Sequence, residues 1–279
     1  GGDEMTKPET HYIHGSTPPE QHRLTIMNEI INLSCLQELG LTGGERILDI
    51  GCGLAQFTRA MAMAAQPRGY VLGVEKDPAQ LREAERLAQQ DGEEKLVELR
   101  QGDALDLPLS EDEWGSFDLV HTRFLLEHVI DPRPIVATLV RAACPGGRIV
   151  LADDDHDVLR VWPEAPRFTT LWNAYVETYT RLGNDPYVGR KLISLLQEAG
   201  AEPHRSTWIF YGGCSGSAVF PAAVENMHRV LDGARQAILE AGLLDGSSID
   251  AALREFQEWA QLPDAALWYA ISWAEGLRR

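Results

Sequence analysis

Two aspartates, a glutamate and a histidine each stand at or near the end of a short apolar run in this chain, and their surroundings suit them to gripping a polar small molecule. The first is Asp49, in Asp49-Ile50-Gly51-Cys52-Gly53. A residue without Cβ tolerates positive φ and lets a ligand touch bare backbone, so the two glycines mark a tight turn made for close approach. A helix beginning beyond such a turn aims free N–H groups at whatever binds there. The second is Glu75, whose carboxylate has two acceptor oxygens and can take both hydroxyls of a ribose. The third is Asp103, within Gly102-Asp103-Ala104, placed to accept from an exocyclic amine such as that of adenine. The fourth is His121, in His121-Thr122-Arg123-Phe124. Together they read as a ledge for a nucleoside.

Residues spread over some seventy positions converge only if the elements carrying them end on one rim. Apolar runs and helical periodicities alternate from residue 46 onward. Strands are expected over 46–50, 70–75, 96–101, 117–121 and 148–153, the last after the turn Pro145-Gly146-Gly147. Helices are expected over 55–65, 77–90 and 131–143, the latter two opened by Asp77-Pro78 and Asp131-Pro132. Such alternation predicts an α/β fold, a doubly wound and mostly parallel sheet with helices on both faces. Right-handed crossovers then put a ligand at the carboxyl ends of the strands. Ahead of this unit, Thr17-Pro18-Pro19-Glu20 has the form of a capping box, and Leu24, Met27, Ile31, Cys35 and Leu39 recur at spacings of three and four up to Gly40. Beyond Asp155 the rhythm breaks. A helix over 188–199, a strand over 208–211 and a final strand over 267–273 complete seven strands, with helical cap inserts at about 157–186 and 212–246 and a helix near 249–261. The expected division is a tail and lid helix over 1–40 and one ligand-binding domain over 41–279.

Composition narrows the function further. The chain has 279 residues, of which 44% are hydrophobic, enough for one large core with a cap. No run approaches the roughly 20 apolar residues of a membrane span. Cys35, Cys52, Cys144 and Cys214 are scattered without metal-site spacing, which reads as reduced thiols in a cytoplasmic protein. The formal net charge of −17 sets up a field that repels nucleic acid and anionic membranes and favours small or cationic partners.

The ordered set Asp49-Ile50-Gly51-Cys52-Gly53, Glu75, Gly102-Asp103-Ala104 and Pro145-Gly146-Gly147 resembles the class I S-adenosylmethionine-dependent methyltransferases. Phe124-Leu125-Leu126-Glu127-His128-Val129 is similar to that family's helix after strand four, and the likeness covers roughly residues 41–155. A nicotinamide-binding fold also wants glycines after strand one and an acid ending strand two, but its third glycine would fall at Gln56. The resemblance implies S-adenosyl-L-methionine as cofactor. It implies Glu75 on the ribose, with Lys76 beside it; Asp103 and the Ala104 N–H on adenine, after Gly102; and Gly51, Gly53 and Asp49 along the methionine portion. The backbone of His121 and Thr122 would meet the methionine amine, and Tyr12, Gly15 and Arg23 fall where relatives carry a lid.

For methyl transfer the main task is alignment, with a base needed where the acceptor atom carries a proton. The candidates for that base are His121, Asp154 and His156, with Asp153 and Asp155 in the same run. That run also reads as a solvated strand end, and His128 as a satisfied structural histidine. Metal-dependent relatives of the catechol type carry an aspartate where this chain has His121-Thr122, so no metal is expected. Asn184-Asp185-Pro186-Tyr187 resembles the Asn-Pro-Pro-Tyr motif of amino-methylating enzymes but falls beyond strand five, where Asp185-Pro186 reads better as a helix start. Trp162, Phe168, Trp172, Tyr175 and Tyr179 form an aromatic set, at helical spacing from Phe168 onward, that serves as core, as pocket wall, or as both, with Tyr211, Cys214 and Phe220 as a facing wall. The expected function is methyl transfer to a small organic molecule, at oxygen or nitrogen first and carbon next. A protein or peptide methyltransferase and a non-catalytic cofactor-binding subunit are the alternatives, and a homodimer stays open.

Overall fold

The computed structural model describes residues 18–279, with side chains from residue 26 onward. The chain forms two compact units: a larger one from residues 32–155, 187–209 and 271–279, and a smaller one from residues up to 31, 156–186 and 210–270. In chain order the elements are α1 (Pro18–Leu39), β1 (Arg46–Ile50), α2 (Gln56–Ala65), β2 (Tyr70–Glu75), α3 (Pro78–Gln90), β3 (Glu98–Gln101), β4 (Phe117–Arg123), α4 (Arg133–Ala142), β5 (Ala143–Asp154), β6 (Arg160–Trp162), α5 (Pro166–Arg181), α6 (Leu192–Glu198), β7 (Ala201–Cys214), α7 (Phe220–Gly233), α8 (Arg235–Glu240), α9 (Gly246–Trp259) and β8 (Ala266–Arg278).

The larger unit is built on the strand order β3-β2-β1-β4-β5-β8. The first five strands run parallel and β8 pairs antiparallel with β5. This is the α/β doubly wound, mostly parallel arrangement that the sequence predicts. Strands β1 and β2 bury nearly every residue, as strands covered on both faces must. One face carries Leu48, Ile50, Leu72, Val74, Val120, Ile149 and Leu151 against Ile135, Val136 and Leu139 of α4 and Leu192 and Leu196 of α6. The first turn of α3 is held by Asp77, whose side chain accepts from the Ala79 N–H. Helix α1 stops at Gly40, with φ +59°, where a left-handed residue ends the helix. Register sets the rim: Ile50 lies beside Val74 and Thr122, and Glu75 beside Gln101.

In the smaller unit, α5 packs with α7, α8 and α9 around Phe168, Trp172, Tyr175, Met227, Leu231 and Phe256. Phe168 and Phe256 stack with centroids 4.1 Å apart, and Phe256 and Trp259 with centroids 5.4 Å apart. β6 pairs antiparallel with residues 266–268 of β8. No helix among the described residues is long and apolar enough to cross a membrane.

Several boundaries differ from expectation. The described residues include eight strands, the added one being β6. Trp162 belongs to it and is 64% exposed, so it is not part of the aromatic helix face. Strand β4 runs on to Arg123, because pairing with β1 and β5 continues past His121. Residues 124–129 supply one 3-10 turn, Leu126–His128, in place of a helix, so His121 and His128 share no helix face. Pro145-Gly146-Gly147 lies inside β5, where Gly146 takes φ +78° and the pairing with β4 shifts register between Phe117 and Leu119.

Candidate functional site

The turn after β1 is built by hydrogen bonds that hold its backbone open. Gly51 (φ +72°) and Gly53 (φ +57°) are both left-handed, as their residue type permits. The Gly51 and Cys52 N–H groups donate to the Val74 carbonyl at 2.8 and 3.1 Å, which ties the turn to β2. The Gly53 N–H donates to Glu75 Oε1 at 2.9 Å, and the Asp77 N–H donates to Oε2 at 2.8 Å. The two carboxylate oxygens are thereby fixed by backbone donors from two different turns. Glu75 is 2% exposed, so burial and these donors together fix its rotamer. Ala55, the residue before α2, is also left-handed (φ 61°) without being glycine. Such a conformation is uncommon outside glycine, aspartate and asparagine and marks a constrained turn.

Gly102 donates its N–H to the Glu75 carbonyl at 3.1 Å, joining the third position to the second. A Cβ there would lie 2.5 Å from Pro108 Cδ, so only glycine fits this approach. Asp103 opens a tight turn: its Oδ1 accepts from the Leu105 N–H at 2.9 Å, and its Oδ2 lies 3.5 Å from Lys76 Nζ. Lys76 and Asp103 are thus neighbours on the rim, and both are exposed. Ala104 packs partly buried against the core below.

Asp49 is buried beneath the rim. Its Oδ2 accepts from Thr58 Oγ1 at 2.7 Å, and its Oδ1 lies 2.9 Å from His121 Nδ1. His121 is 1% exposed, and its ring lies 5.2 Å from Phe57 and 6.4 Å from Trp273 between centroids. Its Nε2 is buried without a hydrogen-bond partner among the described residues. Thr122 is fully buried and donates through Oγ1 to the Ile50 carbonyl at 2.8 Å. Arg123 stacks over Phe57 at 4.6 Å and donates to Asn32 Oδ1 at 2.9 Å.

The carboxyl end of β5 carries a cluster of acids. Asp153 is fully buried and accepts from the Leu126 and Asp154 N–H groups at 2.9 and 2.8 Å. Burial first, and the Asp154 charge second, push its pKa up to about 7. Burial, then Asp154 and Asp153, push Glu127 well above the ordinary carboxylate range. Glu127 Oε1 lies 3.2 Å from His128 Nε2. Asp154 is half-exposed, and Asp155 is paired with Arg190 at 2.6 and 2.8 Å.

The larger unit therefore brings together Asp49, Gly51, Gly53, Glu75, Lys76, Gly102, Asp103, Ala104, His121, Thr122 and Asp154. His156 belongs to the smaller unit, buried, with Nδ1 2.8 Å from the Pro186 carbonyl and its ring 4.9 Å from that of Tyr179. Tyr12 and Gly15 lie outside the described residues, and of Arg23 only the helical backbone is described. Sequence reading missed Thr58, Asn32 and Glu127. Thr58 is a buried hydroxyl on a helix whose other buried residues are Phe57, Arg59, Met61, Ala62 and Ala65, and Glu127 is an acid between Leu126 and the half-buried His128. A polar residue inside an apolar face was the available signal in the first case.

Residues 48–151 match the family described as "Methyltransferase domain". An uncharacterized 37.1 kDa transposon protein of Streptomyces fradiae is 32% identical over 167 residues, 59% of this chain and 46% of that protein. A demethylmenaquinone methyltransferase of Lactobacillus johnsonii is 26% identical over 174 residues, 57% of this chain and 70% of that enzyme. The chain thus spans less than half the length of the first of these relatives and about 70% of the second. Among solved structures, a protein described as a methyltransferase from Bacillus halodurans superposes with TM-score 0.58 at 17% identity, covering 88% of this chain and 98% of that one. A geranyl diphosphate methyltransferase in complex with SAM gives TM-score 0.53 at 17% identity, covering 95% and 92%. These likenesses show the fold.

Proposed function

We propose that this chain, which carries the class I S-adenosylmethionine-dependent methyltransferase domain, moves a methyl group to an oxygen or nitrogen atom of a small organic molecule. The observation that carries the reading is the Glu75 carboxylate, locked by the Gly53 and Asp77 N–H groups at the end of β2 beside two left-handed glycines. S-adenosylmethionine supplies, when bound, a methyl group on a positively charged sulfur.

The chain's own residues do the rest. The two acceptor oxygens of Glu75 suit the two ribose hydroxyls, and its fixed rotamer means that little freedom is lost on binding. Gly102 holds the Asp103 turn against the Glu75 carbonyl, and Asp103 with Lys76 frames the base end. Gly51 and Gly53 present bare backbone to the amino-acid end, with Asp49 beneath them. This set orients the donor, which is the main requirement of a direct displacement. Where the acceptor atom carries a proton, we assign its removal to Asp154, which is half-exposed at the end of β5, whereas His121 and His156 are buried. The names of the relatives, which include demethylmenaquinone and norajmaline methyltransferases, support a small-molecule acceptor, as does a net charge that repels polyanions.

Calorimetric titration with S-adenosylhomocysteine tests the assignment. Glu75→Gln, which keeps the shape and one acceptor oxygen, is expected to weaken binding by about 1–3 kcal/mol. Unchanged affinity would remove Glu75 from the site. Methyl transfer from isotopically labelled cofactor to a panel of phenols, amines and quinols identifies the acceptor class, and transfer only to peptides would overturn the small-molecule reading.

A further inference from the structure

We infer that His121 is a positioning residue that holds Asp49, and through it the glycine turn, rather than the group that takes a proton from the acceptor. The inference rests on the cofactor reading above and concerns the same ledge. Three observations carry it. First, β4 extends to Arg123, so His121 lies two residues inside the strand, directly beside Asp49 of β1. Register partners in a parallel pair point to the same face, and both side chains sit under α2 instead of on the rim. Second, Asp49 is the shared acceptor of two elements. Thr58 of α2 reaches one oxygen at 2.7 Å and His121 Nδ1 of β4 the other at 2.9 Å. Those two elements and β1 are the frame of the Gly51–Gly53 turn, so the carboxylate pins the turn from below. Third, the other face of the imidazole is closed. Phe57 and Trp273 flank the ring, it is 1% exposed, and Nε2 has no hydrogen-bond partner among the described residues. A buried ring nitrogen without a partner costs free energy, and the bond from Nδ1 to Asp49 is the interaction that offsets it. Bonding to a carboxylate puts the proton on Nδ1 and leaves Nε2 bare.

Two variants separate positioning from proton transfer. His121→Asn places an amide N–H at the position of Nδ1, while His121→Leu fills the space without a donor. With positioning, His121→Asn keeps S-adenosylhomocysteine affinity within about 3-fold of wild type and turnover within about 5-fold, whereas His121→Leu loses about 10-fold or more in affinity, the size of one hydrogen bond to a charged group. Thermal melts confirm that both variants are folded. If His121→Asn loses turnover about 100-fold with affinity unchanged, the histidine is the base and the inference fails. Nitrogen NMR of labelled histidine is an independent readout without cofactor: the proton is expected on Nδ1 of His121, and finding it on Nε2 overturns the inference. A wild-type chain with the Nδ1 tautomer but no affinity for S-adenosylhomocysteine would instead overturn the cofactor reading and leave the Asp49–His121 lock standing.

Discussion

At the scale of single residues, the acids are of two opposite kinds, and they make stability depend on pH in opposite directions. Glu113 is held down to about 2, chiefly by its hydrogen bonds with Arg100. A depressed carboxylate stabilises the fold above its unfolded value near 4.5, and that contribution is lost as pH falls toward about 2. Asp153 is the reverse. Burial and the Asp154 charge raise it from 3.8 to about 7, so the fold prefers its protonated form. That contribution is complete below 3.8 and is lost as pH rises through about 7. Glu127 shifts the same way and is fully enclosed beside it. The urea midpoint is therefore expected to fall between about pH 4 and pH 7, where the unfolded chain releases these protons and the fold keeps them. Glu127→Gln removes one of the mutually repelling acids and should flatten that decline. A slope identical to wild type would mean that Glu127 holds no extra proton in the fold across this window.

Elements show which periodicities carry physical weight. The smaller unit's helices meet through aromatic rings: Phe168 of α5 stacks on Phe256 of α9 at 4.1 Å, and Phe256 continues the stack to Trp259. Trp172 and Tyr175 lie on the same buried face of α5, with Tyr175 and Tyr179 hydroxyls 2.9 Å apart. Phe168, Trp172, Tyr175 and Tyr179 are therefore core in the first instance, as a stripe at helical spacing commonly is. Phe256→Ala is expected to cost about 3–5 kcal/mol, from lost transfer free energy plus the cavity left between two stacked neighbours. Chemical denaturation measures this, and a loss below about 1 kcal/mol would show that the helices close the gap. In the larger unit the decisive element is β4. Its two extra residues move His121 from the strand's end to its interior and bring Arg123 over Phe57, under the hydrogen bond to Asn32 of α1.

At the scale of the whole chain, the net charge of −17 is the dominant long-range term. Like charges repel across the folded surface, and salt screens them, with the Debye length falling to about 8 Å at physiological ionic strength. Raising NaCl from about 20 mM to about 200 mM is expected to raise the melting temperature by about 2–4 °C, equivalent to roughly 1 kcal/mol for a protein of this size. A melting temperature that falls with salt would mean that attractive pairs such as Arg100–Glu113 and Arg190–Asp155 outweigh the net repulsion.

The alternation of strands and helices, the glycine turn and the acids at the ends of β2 and β3 were legible because each depends on neighbours a few residues away. Apolar runs, Asp77-Pro78 and Gly40 act through local backbone preferences, and those preferences survived folding. What stayed hidden depends on pairing over long separations. Where β4 ends is decided by its register with β1 and β5, and the partners of Asp49 lie 9 and 72 residues away at Thr58 and His121. No spacing rule links those three positions. The gathering of residues 156–186 and 210–270 into a unit of their own likewise follows from which apolar faces meet, a choice made by shape complementarity between helices and invisible in any one segment.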